Sequence, residues 1–175
     1  MCIENNFDLY FECLEILQNH KIRKSNSRAN VSGIAGKDKW RLLGNLCESE
    51  NYGKLIKRFT TRGQEDHRNP QDASNNFKYP KVYDMLKKLI HEIDPNFDYN
   101  SITINHNLKC LPHYDKNNKS PSLIIALGDF ENGELIVEGV KFDIRWKPLI
   151  FNGGLLKHWT NDFIGDRYTI LYYKI

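Results

Sequence analysis

The chain has 175 residues, of which 40% are hydrophobic and 27% are charged, and its formal net charge at pH 7 is +3. This is the composition of an ordinary globular protein with one domain, and no stretch is apolar enough to predict a transmembrane helix. Acidic residues near the N-terminus argue against a secretory signal peptide, and four widely spaced cysteines favour a reducing compartment. The sequence therefore predicts a soluble intracellular protein of the cytoplasm or nucleus, without a membrane partner.

Basic residues cluster in two ranges of the N-terminal half, 21–28 and 54–68. Solvated helix faces and loops explain such clusters more often than a phosphate-binding groove does. The net charge is also lower than that of most dedicated nucleic-acid-binding domains. Charge by itself therefore leaves nucleic-acid binding open.

The first 80 residues have mainly the patterns of helices and loops. Apolar residues recur at helical spacing in 7–20, and shorter helices are expected at 38–48 and 52–60. The range 63–79 is polar and contains Gly, Pro, Asn and Asp, so it is expected to form a mobile loop. These elements are predicted to support a core that lies further along the chain.

The range 81–93 has the clearest helical pattern in the chain. Pro80 suits the first turn and Pro95 stops the helix. One apolar stripe is predicted to pack against a sheet, and it consists of Val82, Met85, Leu86, Leu89, Ile90 and Ile93.

After residue 100 the pattern changes to short segments that are rich in β-branched and aromatic residues. Asn132-Gly133 interrupts them with a hairpin-turn signal. Six or more strands in about 75 residues, with helices only before them, predict an α+β fold with a small barrel or jelly roll. We expect a single domain over 1–175, in which 1–98 supplies supporting helices and loops and 99–175 supplies the β core.

Three residues in this β region have the chemistry of a metal site. Alternation along an extended segment puts His113 and Asp115 on the same face, and His158 lies where a barrel can close back on them. Two histidines and one carboxylate can hold iron(II) and leave three coordination positions open. A surface hydrogen-bonded pair and a zinc site that starts from Cys110-x-x-His113 are the alternatives.

Arg167 and Thr169 add a second feature, since both point to one face of the predicted terminal strand. A guanidinium can bind a carboxylate through two parallel hydrogen bonds, and a threonine hydroxyl can provide another donor. A salt bridge at the rim of the barrel is the structural alternative for Arg167.

Together these residues form the pattern H-x-D…H…R-x-T, which resembles the iron(II)/2-oxoglutarate-dependent dioxygenase superfamily. The resemblance covers roughly residues 101–175 and implies a double-stranded β-helix fold. It implies that His113, Asp115 and His158 bind iron and that Arg167 and Thr169 bind the far carboxylate of 2-oxoglutarate, with Asn105 as a further polar contact.

The resemblance also implies the chemistry: 2-oxoglutarate and O₂ are consumed while a C–H bond of the substrate is hydroxylated. The implied cofactors are Fe(II), 2-oxoglutarate and O₂, and ascorbate is compatible with them. Tyr114, Asn118 and Trp159 are the candidates for supporting or substrate-contacting residues.

Short motifs leave the substrate open between two groups of this superfamily. H-x-D-x-x-N and F-x-x-G-E-L, which begins at Phe130, resemble the nucleobase hydroxylases of the ten-eleven-translocation and base-J-binding-protein type. The nine-residue step from His158 to Arg167 resembles prolyl- and lysyl-type peptidyl hydroxylases. We favour a methylated or thymine-type base in DNA or RNA over a peptide, and a non-catalytic cupin-like module is the third hypothesis. The oligomeric state is not predicted.

Overall fold

The computed structural model describes residues 7–20, 43–47 and 79–174, and of 43–47 it describes the backbone alone. Within these ranges there are two helices and eight strands. The helices are α1 (Phe7–Asn19) and α2 (Pro80–Ile93). The strands are β1 (Leu43–Cys47), β2 (Ser101–His106), β3 (Ser122–Asn132), β4 (Leu135–Val137), β5 (Val140–Phe142), β6 (Leu149–Phe151), β7 (His158–Thr160) and β8 (Phe163–Tyr173).

The helices predicted at 7–20 and 81–93 are confirmed. Pro80 occupies the first turn of α2, and the backbone N–H of Asp94 closes its last turn on Ile90. The two apolar stripes are buried together, and they consist of Leu9, Tyr10, Cys13 and Leu17 from α1 and Val82, Met85, Leu86, Leu89 and Ile90 from α2.

The helix expected at 38–48 is wrong over 43–47, because Leu43–Cys47 forms strand β1. This strand pairs antiparallel with β2, from Leu43 opposite Asn105 to Cys47 opposite Ser101. Gly44 and Asn45 are weak helix formers, so pairing with an available sheet edge prevails over the apolar spacing. The N-terminal half therefore supplies a strand as well as helices. The ranges 52–60 and 63–78 lie outside the described residues.

The strands form two antiparallel sheets. We call the five-stranded one, with the order β1-β2-β8-β3-β6, the major sheet, and the three-stranded one, with the order β5-β4-β7, the minor sheet. Side chains of the major sheet alternate between a face that packs on the helices and a face that packs on the minor sheet. On β8, for example, Ile170 belongs to the cluster with the helices, whereas Leu171 belongs to the cluster with β4.

The turn predicted at Asn132-Gly133 exists, but it does not join a hairpin. Both residues have positive φ, at 61° and 72°. The strand before them pairs with β6 and β8, while the strand after them, β4, pairs with β5 and β7. The chain therefore uses this corner to pass from the major sheet to the minor sheet.

The predicted α+β fold is confirmed, with helices of the N-terminal half on one face of a two-sheet, jelly-roll-like β core. The space between the two sheets lies on the side away from the helices. Within the described ranges, neither helix has the length and apolar character that would be needed to cross a membrane.

Candidate active site

A pocket with about 450 Å³ of empty space, part of it open to solvent, lies between the two sheets. Apolar side chains from both sheets form much of its wall, including Ile124 and Leu171 from the major sheet and Leu135 from the minor sheet. All six residues that the sequence predicts as metal or co-substrate contacts line this one pocket: Asn105, His113, Asp115, His158, Arg167 and Thr169.

Backbone pairing brings the two histidines together. The N–H of His113 donates to the carbonyl of His158 at 3.0 Å, and the N–H of His158 donates to the carbonyl of His113 at 3.0 Å. The N–H of Asp115 donates to the carbonyl of Gly153 at 2.8 Å. One ligand atom from each of His113, Asp115 and His158 then lies within 4.8 Å of the others, as three ligands of one ion require.

The hydrogen bonds of the imidazoles define which ring nitrogen is available to a metal. Nδ1 of His113 lies 2.6 Å from the carbonyl oxygen of Leu111, and Nδ1 of His158 lies 2.9 Å from that of Leu156. Because a carbonyl oxygen only accepts, each Nδ1 carries the proton in the neutral ring and each Nε2 presents a lone pair.

The Nε2 atoms both face the carboxylate of Asp115. Nε2 of His113 is 3.5 Å from Oδ1, and Nε2 of His158 is 3.2 Å from Oδ2. In the neutral tautomer these contacts would join pairs of acceptors, and a cation bound between them would satisfy all three groups. The donor set, two imidazole nitrogens and a carboxylate, therefore fits iron(II).

Gly153 provides the space that this cluster occupies. A Cβ atom there would lie 3.1 Å from Cε1 of His158, 3.2 Å from Oδ2 of Asp115 and 3.0 Å from Cε2 of Phe151. Two of these neighbours are candidate metal ligands, so the absence of a side chain lets them converge. The sequence analysis missed Gly153, although its Gly-Gly step shortly before His158 is a signal for a close backbone approach.

Arg167 is buried in the same pocket without an acidic partner. Its Nη2 donates to the carbonyl of Gly133 at 2.8 Å, but its Nε has no hydrogen-bond partner. Among the described residues no carboxylate forms an ion pair with it, since Glu134 instead accepts from Asn161 at 2.8 Å. Burial lowers the pKa of Arg167 to about 10. The guanidinium is therefore charged at neutral pH, and Glu134 is a nearby negative charge that does not form an ion pair with it.

Two phenyl rings hold the guanidinium. Its central carbon lies 5.5 Å from the ring centroid of Phe130 and 5.3 Å from that of Phe163. Phe130 and Gly133 belong to the F-x-x-G-E-L string, so in this protein part of that string contacts Arg167. No sequence motif predicted the contact of Phe163 with Arg167, because this contact depends on where strand β8 begins, four residues before the arginine.

Thr169 and Asn105 are register partners on the neighbouring strands β8 and β2. Nδ2 of Asn105 donates to Oγ1 of Thr169 at 3.2 Å. Oδ1 of Asn105 is buried and has no hydrogen-bond partner among the described residues. A second polar atom of the pocket is thus left for a ligand.

The three supporting candidates lie in different places. Tyr114 is exposed and does not line the pocket. Asn118 belongs to the turn that follows Asp115, and its N–H donates to the carbonyl of Asp115 at 2.9 Å. Trp159 lines the edge of the pocket and also a second groove, and strand alternation directs its side chain away from the face of His158.

The zinc interpretation receives no support from the geometry. Within the described ranges, the cluster that could hold a metal consists of two histidines and one aspartate and includes no cysteine. Cys110 lines the pocket but lies outside that cluster.

No protein-family model and no curated protein matches the chain. Among solved structures, it is similar to an oxidoreductase of the 2OG-Fe(II) oxygenase family from Burkholderia pseudomallei, with 19% identity and a TM-score of 0.41 over 54% of this chain and 56% of that one. It is similar to NgTET1 in complex with 5mC DNA, with 16% identity and a TM-score of 0.44 over 97% and 89% of the two chains. It is also similar to a prolyl-4-hydroxylase from Pseudomonas putida, with 12% identity and a TM-score of 0.44 over 100% and 89%.

The chain thus matches only a little over half of the first of these proteins. The His-Asp-His cluster predicted from the sequence is present in the structure of this chain. What the pocket can do chemically follows from its own side chains.

Proposed function

We propose that this protein is an iron(II)- and 2-oxoglutarate-dependent oxygenase that hydroxylates a C–H bond, within one domain over 1–175. The observation that carries the proposal is a buried guanidinium that forms no ion pair with a described residue and lies in the same pocket as the His-Asp-His cluster. A buried charge without a partner is strongly unfavourable, so an anionic ligand is expected beside Arg167.

The metal would be held by Nε2 of His113, Nε2 of His158 and the carboxylate of Asp115. These three ligands leave room for a co-substrate and O₂. When bound, iron(II) supplies the redox chemistry by which 2-oxoglutarate and O₂ become succinate and CO₂ while one oxygen atom enters a substrate C–H bond. Ascorbate would serve as an accessory reductant. The carbonyl groups of Leu111 and Leu156 keep both imidazoles in the ligating tautomer.

Arg167 would bind the far carboxylate of 2-oxoglutarate. Its unpaired Nε–H is one donor, and Thr169 and Asn105 provide further polar atoms in the same pocket. Phe130 and Phe163 restrict the guanidinium plane, which lowers the conformational entropy that binding would otherwise remove. The apolar wall excludes water from the reacting groups.

For the substrate, we propose a methylated or thymine-type nucleobase in DNA or RNA. The H-x-D-x-x-N string supports a nucleobase substrate. The F-x-x-G-E-L string adds less support, because Phe130 and Gly133 of this string contact Arg167 and need no contact with the substrate. A prolyl or lysyl side chain in a peptide is the alternative. A protein that binds the metal but never consumes 2-oxoglutarate would be a non-catalytic module.

The first test is spectroscopic. The purified protein, given iron(II) and 2-oxoglutarate without air, should develop a weak visible charge-transfer band that is absent in Asp115→Ala. The band should be much weaker at the same concentration of 2-oxopentanoate, which has the same 2-oxo acid group but no far carboxylate for Arg167.

The second test is turnover. Succinate release should rise with one member of a panel of methylated DNA, methylated RNA and proline- or lysine-containing peptides. If no band forms and no member of the panel increases succinate release, the oxygenase proposal is wrong.

A further inference from the structure

The two segments that carry the candidate metal ligands, 111–116 and 153–158, lie side by side. Reciprocal backbone hydrogen bonds join His113 to His158, and a third joins Asp115 to Gly153. The segments line the pocket through His113, Asp115 and His158, and we call their outer, exposed surface the rim. Side chains of the rim are therefore those that a macromolecular substrate would meet next to the metal.

The rim exposes apolar and aromatic side chains. The exposed fractions are 43% for Leu111, 43% for Tyr114, 75% for Leu155 and 38% for Leu156. Four such residues within two paired segments are a concentration of exposed apolar surface, which is typical of a binding surface.

The rim also carries two lysines that are not paired with acids. Lys116 follows Asp115 and Lys157 precedes His158, and both are exposed. In the part of the chain that the structure describes, neither forms an ion pair, whereas Lys109 is paired with Asp162. Glu138 accepts from the backbone N–H of Lys157 at 2.5 Å and not from its ammonium group. Two exposed lysines therefore flank the candidate ligands in the sequence, one after Asp115 and one before His158.

We infer that the rim binds a single-stranded nucleic acid, with Lys116 and Lys157 contacting phosphates and Tyr114 stacking on a base. This inference rests on the proposed oxygenase function, because it identifies the substrate of the same site. Single-strand binding combines cations that follow the backbone with rings on which bases stack. A neutral peptide would use the apolar side chains but would gain nothing from the two lysines.

A groove next to the pocket gives the strand room to continue. It has about 510 Å³ of empty space, includes Leu111 and Pro112, and shares Cys110, Trp159 and Thr160 with the pocket. Trp159 is half-buried and lines both the pocket and the groove, so it borders the path that a neighbouring base would take. Lys109 at the groove is neutralised by Asp162, which fits a base or sugar better than a phosphate.

The test measures binding of a single-stranded DNA oligonucleotide that contains one 5-methylcytosine, by fluorescence anisotropy between 50 and 300 mM salt. The double variant Lys116→Glu/Lys157→Glu should bind more weakly and lower the slope of log K against log salt by about 1.4, at about 0.7 for each phosphate contact. The control Lys141→Glu/Lys147→Glu changes the net charge equally on the β5 side of the minor sheet and should leave the slope unchanged. Tyr114→Ala should lower the affinity roughly 5- to 150-fold without changing the slope.

The charge-transfer band of each variant shows whether its metal pocket is intact. If Lys116→Glu/Lys157→Glu weakens the band, Lys116→Gln/Lys157→Gln is measured instead. This variant should also bind the oligonucleotide more weakly and lower the slope of log K against log salt. Equal slopes for rim and control variants would overturn the inference, as would tighter binding of a neutral proline-containing peptide that is lost in Tyr114→Ala. Absence of the band from the wild-type protein would instead count against the oxygenase proposal.

Discussion

Replacement of Gly153 by alanine should weaken metal binding selectively. The added Cβ would lie 3.1 Å from the His158 ring and 3.2 Å from the Asp115 carboxylate, so each group must shift by a few tenths of an ångström. The backbone at Gly153 does not have the positive φ that would make alanine strained in itself. Loss of support for metal ligands typically costs 10- to 100-fold in metal affinity. We therefore expect an iron(II) affinity lower by about 1.4 to 2.7 kcal/mol.

Isothermal titration calorimetry with iron(II) under anaerobic conditions measures this change. Gly154→Ala is the matched control, because its Cβ would meet the backbone oxygens of Asn118 and Asp115 at 3.3 and 3.4 Å but no ligand side chain. Overpacking costs stability in either variant, and thermal unfolding without metal records that part separately. Wild-type affinity in Gly153→Ala, or an equal loss in Gly154→Ala, would refute the reasoning.

Two further predictions concern Arg167. Since its pKa is about 10, the guanidinium loses its charge as the pH rises through that value, and 2-oxoglutarate affinity should be steady from pH 7 to 9 and fall above 10. Titrations of 2-oxoglutarate and 2-oxopentanoate over this range check the effect, and parallel curves would contradict it. Phe163→Leu removes one ring contact and should weaken 2-oxoglutarate binding roughly 2- to 30-fold, with Phe163→Tyr restoring it. Calorimetry should find iron(II) affinity unchanged in both variants, and a matching loss of iron binding would indicate a general structural defect.

Local patterns in the sequence were sufficient to predict the helices and most of the strands. The stripe of α2 has a period that only a helix can bury on one side, and Pro80 and Pro95 mark its ends. Alternation also explains why the site residues are together: Arg167 and Thr169 are two positions apart on β8 and so share the inner face of the major sheet.

Features that depend on distant partners could not be predicted in this way. Residues Leu43–Cys47 form a strand because they pair with the edge of β2. The five residues include Gly44 and have no pattern of their own that predicts this pairing. The turn at Asn132-Gly133 was predicted from its own φ preferences, but which sheet follows it depends on β7. Gly153 and Phe163 act through contacts with residues that are distant in the sequence. A search for metal-binding residue types misses both, because Gly153 only leaves space for the ligands and Phe163 only packs on Arg167.

The pairing of His113 with His158 also has a consequence for folding. The strands of the minor sheet are three residues each, too short to be stable alone. A metal held by both histidines would cross-link positions about 45 residues apart, and clips that close long loops restrict the unfolded chain most. Since only the folded chain assembles the three ligands, the free energy of metal binding would add to that of folding. The metal would then also stabilise the packing of the minor sheet against the rest of the protein. Removal of the metal by a chelator would therefore destabilise β4, β5 and β7 before the helices.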